Sequence, residues 1–298
     1  AVAVMPRILD HDSTTVPNST QLATTGFTPV PTNLDFAAIK GDTLPLADCL
    51  GEAAHACVRV SGGGLHLLVL GDSYAGMMIP ALEPLAESNG LTLSAFVGCP
   101  WQRHLFTSLV ASVQARCNRA IADAYDRVIP ELDPDIVVVM NAPYEQQGLF
   151  ASYLGPDGTA LPKSSRELAE WVESTTEDSL AALRAGGRKV VIIEPTPTSG
   201  DNFDPLQCLS AADVVEECRY AVEPSPTGLE QLYRKLDASN VDVWAANLDE
   251  LVCPFLPICD PIVDGQVVKF DGGHLVRSYA AGIAPSLASY LADNGVIP

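Results

Sequence analysis

The sequence predicts an α/β domain, a three-layer sandwich in which a mainly parallel central sheet lies between two layers of helices. Three observations carry this expectation. Short apolar runs of strand length recur along the chain, longer segments with helical apolar spacing separate them, and Gly, Pro and Asn cluster at the joints. With 298 residues, 47% of them hydrophobic and 18% charged, the chain can bury a substantial core.

The elements follow in order. Residues 1–45 are rich in Thr, Pro, Ser and Asn without helical or alternating spacing, so they read as an extended arm or linker ahead of a domain at 46–298. At 65–70 the run LHLLVL, followed by Gly71, has the continuous apolarity of a parallel strand buried on both faces. The segment 79–90, IPALEPLAESNG, has helical spacing and ends on Gly90. Further buried strands are expected at 91–97 (LTLSAFV), 135–140 (DIVVVM), 189–195 (KVVIIEP) and 241–247 (VDVWAAN). A long helix is expected within 165–187, and a closing helix carries the apolar residues of 275–291. The Pro-rich, Cys-bearing stretch 195–224 reads as a surface excursion rather than a second domain. Sites in such a sheet gather at the carboxyl ends of the strands, so function is to be sought just after each apolar run.

Charge narrows the partners. The 17 Lys and Arg stand against 37 Asp and Glu, and the formal charge of −20 repels nucleic-acid phosphates, so no nucleic-acid partner is expected. No apolar stretch approaches the roughly 20 residues that span a bilayer, and the opening AVAVMPRILDHDST lacks the regions of a signal peptide. The 8 cysteines fall as close neighbours, Cys49/Cys57, Cys99/Cys117, Cys208/Cys218 and Cys253/Cys259. Four short-loop disulfides in an oxidising compartment are the economical reading, and buried free thiols of a cytosolic protein are the alternative.

After the first strong strand, Gly71-Asp72-Ser73-Tyr74-Ala75 puts a hydroxyl at the start of a helix. Glycine permits the sharp turn, and the free N–H groups of a helix amino terminus can hold an oxyanion beside that serine. Simple capping of the helix by Ser73 is the plainer alternative. A serine nucleophile needs a base, and the histidines are His11, His55, His66, His104 and His274. His274 lies in Phe270-Asp271-Gly272-Gly273-His274-Leu275, where a turn can aim the Asp271 carboxylate and the imidazole at one pocket. Alone, that segment is equally an Asp-Gly-Gly surface turn; beside Ser73 it points to a triad. His66 reads as a core or edge residue of its strand, and His11 belongs to the arm. No metal-ligand spacing emerges, and neither metal nor cofactor is expected.

These landmarks resemble the SGNH, or GDSL-like, hydrolase superfamily. Its GDS block is matched by Gly71-Asp72-Ser73, its glycine block by Gly98, its asparagine block by Asn141, and its DxxH block by Asp271 and His274. The resemblance implies a flavodoxin-like sandwich, a triad of Ser73, His274 and Asp271, and an oxyanion hole made by the Ser73 N–H, the Gly98 N–H and the Asn141 amide. A narrower resemblance, from about Phe27 onward, is carried by GDSYA, CPW with a later cysteine, PTPTSGDNFDPLQC and VCPFLPICDPIVDGQVVKFDGGHLVRSYA. It is similar to the extracytoplasmic SGNH domains fused to acyltransferase-3 membrane proteins, especially actinobacterial ones. Two departures are Tyr74, where that family commonly has histidine, and Gly273, where a polar residue is frequent. Asp72, Tyr74 and Trp101 are the candidate substrate-contacting residues.

The resemblance implies transfer of an acyl group, acetyl or succinyl, through an acyl-Ser73 ester to a cell-envelope glycan. The implied partners are a fused or associated membrane acyltransferase as acyl donor and the glycan as acceptor, on the extracytoplasmic side and within a larger membrane protein. A secreted carbohydrate esterase is the alternative enzyme. A catalytically silent glycan-binding module on a membrane acyltransferase is the alternative of another class.

Overall fold

A computed structural model describes residues 27–42, 49–105, 110–144, 153–157, 159–163, 165–200 and 203–298. A six-stranded sheet organises them: β1 (Val58–Val60), β2 (His66–Gly71), β3 (Thr92–Val97), β4 (Ile136–Met140), β5 (Lys189–Ile193) and β6 (Val243–Ala246). The strands lie in the order β1-β3-β2-β4-β5-β6. β1 runs antiparallel to β3 and the other pairs are parallel.

The apolar runs become central strands because both of their faces are covered. Leu67, Val69, Ile136, Val138, Val191 and Ile193 enter one core, while Leu68, Leu70, Val137, Val139, Val190 and Ile192 enter the other. A side-chain period of two thus divides each strand between two helical layers. The first layer holds α3 (Ile79–Ser88), α7 (Arg277–Gly282) and α8 (Ala284–Asp293). The second holds α4 (Ala111–Asp123), α5 (Arg166–Arg184) and α6 (Gly228–Ser239). Ser165 caps α5 by accepting from the Leu168 N–H, and a capping box of Thr227 and Glu230 starts α6. Among the shorter helices are α1 (Phe36–Gly41) and α2 (Ser73–Met77).

Three differences from the sequence reading have local causes. Strand β1 is only three residues long and partly exposed, so it has no apolar run to announce it. The expected closing helix is two, because Pro285 stands in the first turn of α8 after Gly282 ends α7. Of the expected arm, residues 1–26 and 43–45 lie outside the described residues. Residues 27–42 lie against the body: Val30 N–H donates to Asp213 O (3.0 Å), Val215 N–H donates to Thr28 O (2.8 Å), and Lys40 pairs with Asp204 (3.0 Å).

The excursion after β5 carries its own short elements, including the helix Pro205–Leu209 and the strand Tyr220–Ala221, which pairs with Ile258–Cys259. The eight cysteines form Cys49–Cys57, Cys99–Cys117, Cys208–Cys218 and Cys253–Cys259, the neighbour pairing. Among the described residues, no helix is long and apolar enough to cross a membrane.

Candidate active site

Sheet register brings the landmark loops together. Gly71 of β2 is the register partner of both Val97 of β3 and Met140 of β4, so Asp72, Gly98 and Asn141 emerge side by side at the carboxyl edge. The chain leaves β2 for β3 on one side and later crosses to β4 on the other, which makes this edge a topological switch point. Gly71 has φ +146°, and a Cβ there would stand 1.9 Å from the Met140 carbonyl oxygen. No larger residue can bring β2 into this turn.

Asp72 caps α2 by accepting from the Tyr74 N–H (2.9 Å), and its second oxygen accepts from the Ala142 N–H (2.9 Å). Burial pushes its carboxyl pKa up, against those two bonds and the His274 charge. Asp72 therefore ties the Ser73 turn to the loop after β4. Ser73 opens α2, and its Oγ lies 2.8 Å from His274 Nε2. On the far side of the ring, His274 Nδ1 is 2.9 Å from Asp271 Oδ2. Asp271 Oδ1 accepts from the backbone N–H groups of Gly273 (2.8 Å) and His274 (2.7 Å), which curls the loop. Burial alone would raise the Asp271 pKa. The bond and charge of His274 and the two backbone donors outweigh it and hold the carboxyl at about 2. Phe270 stacks on the imidazole at 5.5 Å and Tyr74 leans on it at 5.0 Å, so two aromatic rings pack against the base candidate.

Asn141 is buried, and three side chains converge on its Oδ1: Tyr233 OH (2.6 Å), Trp101 Nε1 (2.9 Å) and Gln102 Nε2 (3.2 Å). An indole nitrogen can only donate, so the atom facing it must be the amide oxygen and the NH2 group must point the other way. One amide proton goes to Ala142 O (2.7 Å). An NH2 group carries two, so that bond does not exhaust it. Gly98 is placed differently from expectation. Its N–H donates to the Gly71 carbonyl at 2.8 Å, so the backbone turn takes up the donor that the resemblance assigned to the oxyanion.

The family described as "SGNH domain (fused to AT3 domains)" matches residues 44–289. The chain belongs to that SGNH family. In structure, it resembles the periplasmic domain of a lipopolysaccharide acetyltransferase from Salmonella ser. Paratyphi A, with a TM-score of 0.51 and 13% identity over 82% of this chain and 87% of that one. At that identity the likeness speaks for the fold alone. A putative acylhydrolase from Bacteroides fragilis gives a TM-score of 0.45 at 10% identity, covering 82% of this chain and 94% of that one. Among curated proteins, a ferrochelatase from Picosynechococcus sp. is 28% identical over 169 residues, which is 56% of this chain and 38% of that protein. The chain thus spans well under half the length of that relative, and the match carries no statement about activity.

The other singled-out residues of the SGNH domain divide sharply. Trp101 is 2% exposed and sits beneath Asn141, so its polar edge meets that amide and not an open surface. Tyr74 is buried against Gly273 as well as His274. His66 Nε2 meets Ser94 Oγ at 2.8 Å within the sheet, His104 is exposed, and His11 lies outside the described residues. Among the described residues no group of three or more His, Cys, Asp or Glu is gathered for a metal ion.

Three participants escaped the sequence reading. Lys269 is fully buried, donating to the Pro197 and Gly273 carbonyls, and burial pulls its ammonium pKa down to about 7. Its place two residues before Asp271 was the available signal. Gln102 had only its neighbour Trp101 to mark it. Tyr233 had no signal, because a tyrosine on the apolar stripe of a helix looks like any core residue.

Proposed function

We propose that this SGNH domain is an extracytoplasmic serine O-acyltransferase that passes an acetyl or succinyl group to a hydroxyl of a cell-envelope glycan. One observation carries the reading: Ser73 Oγ, the His274 ring and the Asp271 carboxylate stand in line at 2.8 and 2.9 Å. Ser73 attacks the acyl carbonyl of the donor while its proton passes to His274 Nε2, and Asp271 fixes the tautomer and steadies the imidazolium. The oxyanion faces the amino terminus of α2 at Ser73 and the Asn141 NH2 group. Each such donor is worth roughly 2.7–4 kcal/mol of barrier. The donor's leaving group takes the proton from His274, and acyl-Ser73 remains. An acceptor hydroxyl then attacks that ester, gives its proton to His274, and Ser73 leaves with it. The Gly98 N–H joins the oxyanion donors in this scheme only by releasing the Gly71 carbonyl.

Two further facts support the setting. The family's SGNH domains are fused to AT3 domains, which suits an acyl donor delivered from a membrane partner. Four disulfides suit an oxidising compartment. The name of the Salmonella neighbour, a lipopolysaccharide acetyltransferase, is consistent with this chemistry. Water in place of the sugar hydroxyl gives the second reading, a secreted carbohydrate esterase, with the same relay. The deciding experiment is complementation of a strain lacking the gene with its Ser73→Ala form, followed by mass spectrometry of the envelope glycans. Loss of one acyl ester is expected, and unchanged acylation rejects Ser73 as the transferring nucleophile.

A further inference from the structure

The loop that carries Asp271 and His274 has little of its own to hold it still. Its middle is Gly272-Gly273, and glycine is the residue with the most backbone freedom to lose. Its shape therefore depends on donors that fix its carbonyls one by one. Ser199 N–H donates to Gly272 O (3.0 Å), Lys269 Nζ donates to Gly273 O (3.3 Å), and the Phe270 N–H closes the loop on His274 O (3.1 Å). The Phe270 carbonyl is taken by a side chain from far away in the sequence: Lys40 Nζ donates to it at 2.7 Å.

Lys40 is delivered there by a docked segment. It stands in the last turn of α1, a helix capped by Asp35, whose carboxylate accepts from the Ala38 N–H (2.9 Å). Val30, Leu34, Phe36 and Ile39 pack the same segment against the core that Leu67 and Val69 enter, and Phe270 borders that core too. The Lys40 ammonium lies 5.9 Å from the centre of the Phe270 ring, within cation–π range. That ring in turn stacks on the His274 imidazole at 5.5 Å, with 14° between the planes. The ion pair of Lys40 with Asp204 (3.0 Å) contributes little by itself, because the lysine side chain is 53% exposed and water screens such pairs. The distinctive contact is with Phe270, which one ammonium meets at both backbone and ring.

We propose that Lys40 is a positioning residue for His274, acting through Phe270, and that residues 27–42 are a working part of the active site. The inference rests on the Ser73 relay proposed above. In that relay His274 keeps Nδ1 on Asp271 and Nε2 on Ser73 Oγ while it takes up a proton and gives it back. The Asp271 bond sets where Nδ1 lies but leaves the ring free to tilt about that bond. The stacked face of Phe270 sets the tilt, and Lys40 keeps Phe270 in place.

The test uses variants of the whole chain. Lys40→Ala removes an exposed side chain, so the fold should survive it. It should lower kcat for 4-nitrophenyl acetate by about 5-fold with KM little changed, the size of one lost hydrogen bond. Lys40→Arg, which can still donate to the carbonyl and lie over the ring, should recover most of that loss. Asp204→Asn removes only the charge partner and should leave kcat within about twofold. A second readout needs no turnover: the NMR resonance of the His274 Nδ1 proton shared with Asp271 should be sharp in the unaltered chain and broadened in Lys40→Ala. An unchanged kcat or an unchanged resonance in Lys40→Ala overturns the proposal. So does a loss that Asp204→Asn reproduces or that Lys40→Arg does not recover. Failure of the relay itself has a separate signature: the resonance responds to Lys40→Ala as described, yet the unaltered chain takes up no fluorophosphonate on Ser73.

Discussion

Tyr74 and Gly273 share one volume: a Cβ at position 273 would stand 2.3 Å from the Tyr74 hydroxyl oxygen. The two departures from the family pattern are thus a single change made in two places. A tyrosine after Ser73 is compatible with the Asp271–His274 loop only because the residue before His274 has no side chain. Gly273→Ser alone should displace His274 and reduce ester turnover by about 100-fold, the cost of a shift near 1 Å at a catalytic group. Tyr74→His combined with Gly273→Ser should recover most of that loss. A double-mutant cycle on 4-nitrophenyl acetate hydrolysis measures the coupling, and additive losses contradict the shared volume.

The three donors on Asn141 Oδ1 make a second prediction. If they act by aiming the NH2 group, Tyr233→Phe should lower kcat by about 10-fold with KM little changed, since the loss falls on the transition state. Asn141→Ala itself should cost roughly 100-fold to 1000-fold. In the Asn141→Ala background, Tyr233→Phe should cost almost nothing further. An equal loss in both backgrounds assigns Tyr233 to general packing.

These cases show where the sequence was legible. Continuous apolar runs marked β2 through β6 because strands covered on both faces tolerate little else. As motifs, Gly71-Asp72-Ser73 and Asp271–His274 were legible because each makes its own turn. The aim of Asn141 was not, because Tyr233 reaches it across 92 residues and only the folded sheet brings them together. Gly98 follows β3 directly, but the partner of its N–H depends on the register with Gly71, which the sequence does not display.

Asp271 gives a prediction with a definite pH window. Its folded pKa of about 2 lies below the ordinary value of 3.8, so its contribution to stability is complete above the ordinary value and is lost as pH falls through about 2. Thermal melts of the native chain and Asp271→Asn should differ most above pH 4 and converge toward pH 2. The same substitution should lower kcat by about 10,000-fold by leaving the imidazole in the wrong tautomer. Melting curves that stay parallel across this range contradict the assignment.

Lys269 works in the opposite part of the scale. Burial lowers its pKa from 10.5 to about 7, so the unfolded chain holds the extra proton between those values and this group favours folding increasingly as pH rises from 7 to 10.5. Lys269→Met removes the titration while nearly conserving volume. The stability of the native chain relative to Lys269→Met, followed by urea unfolding, should therefore increase over that range. A difference that is flat or falls with pH contradicts it.

The central claim is that Ser73 is a nucleophile activated by His274. Intact-mass spectrometry after treatment with a serine-directed fluorophosphonate tests it most directly. The account predicts one adduct, mapped to Ser73, absent from Ser73→Ala and strongly slowed in His274→Ala. A chain that takes up no label, or one whose label persists in Ser73→Ala, contradicts it.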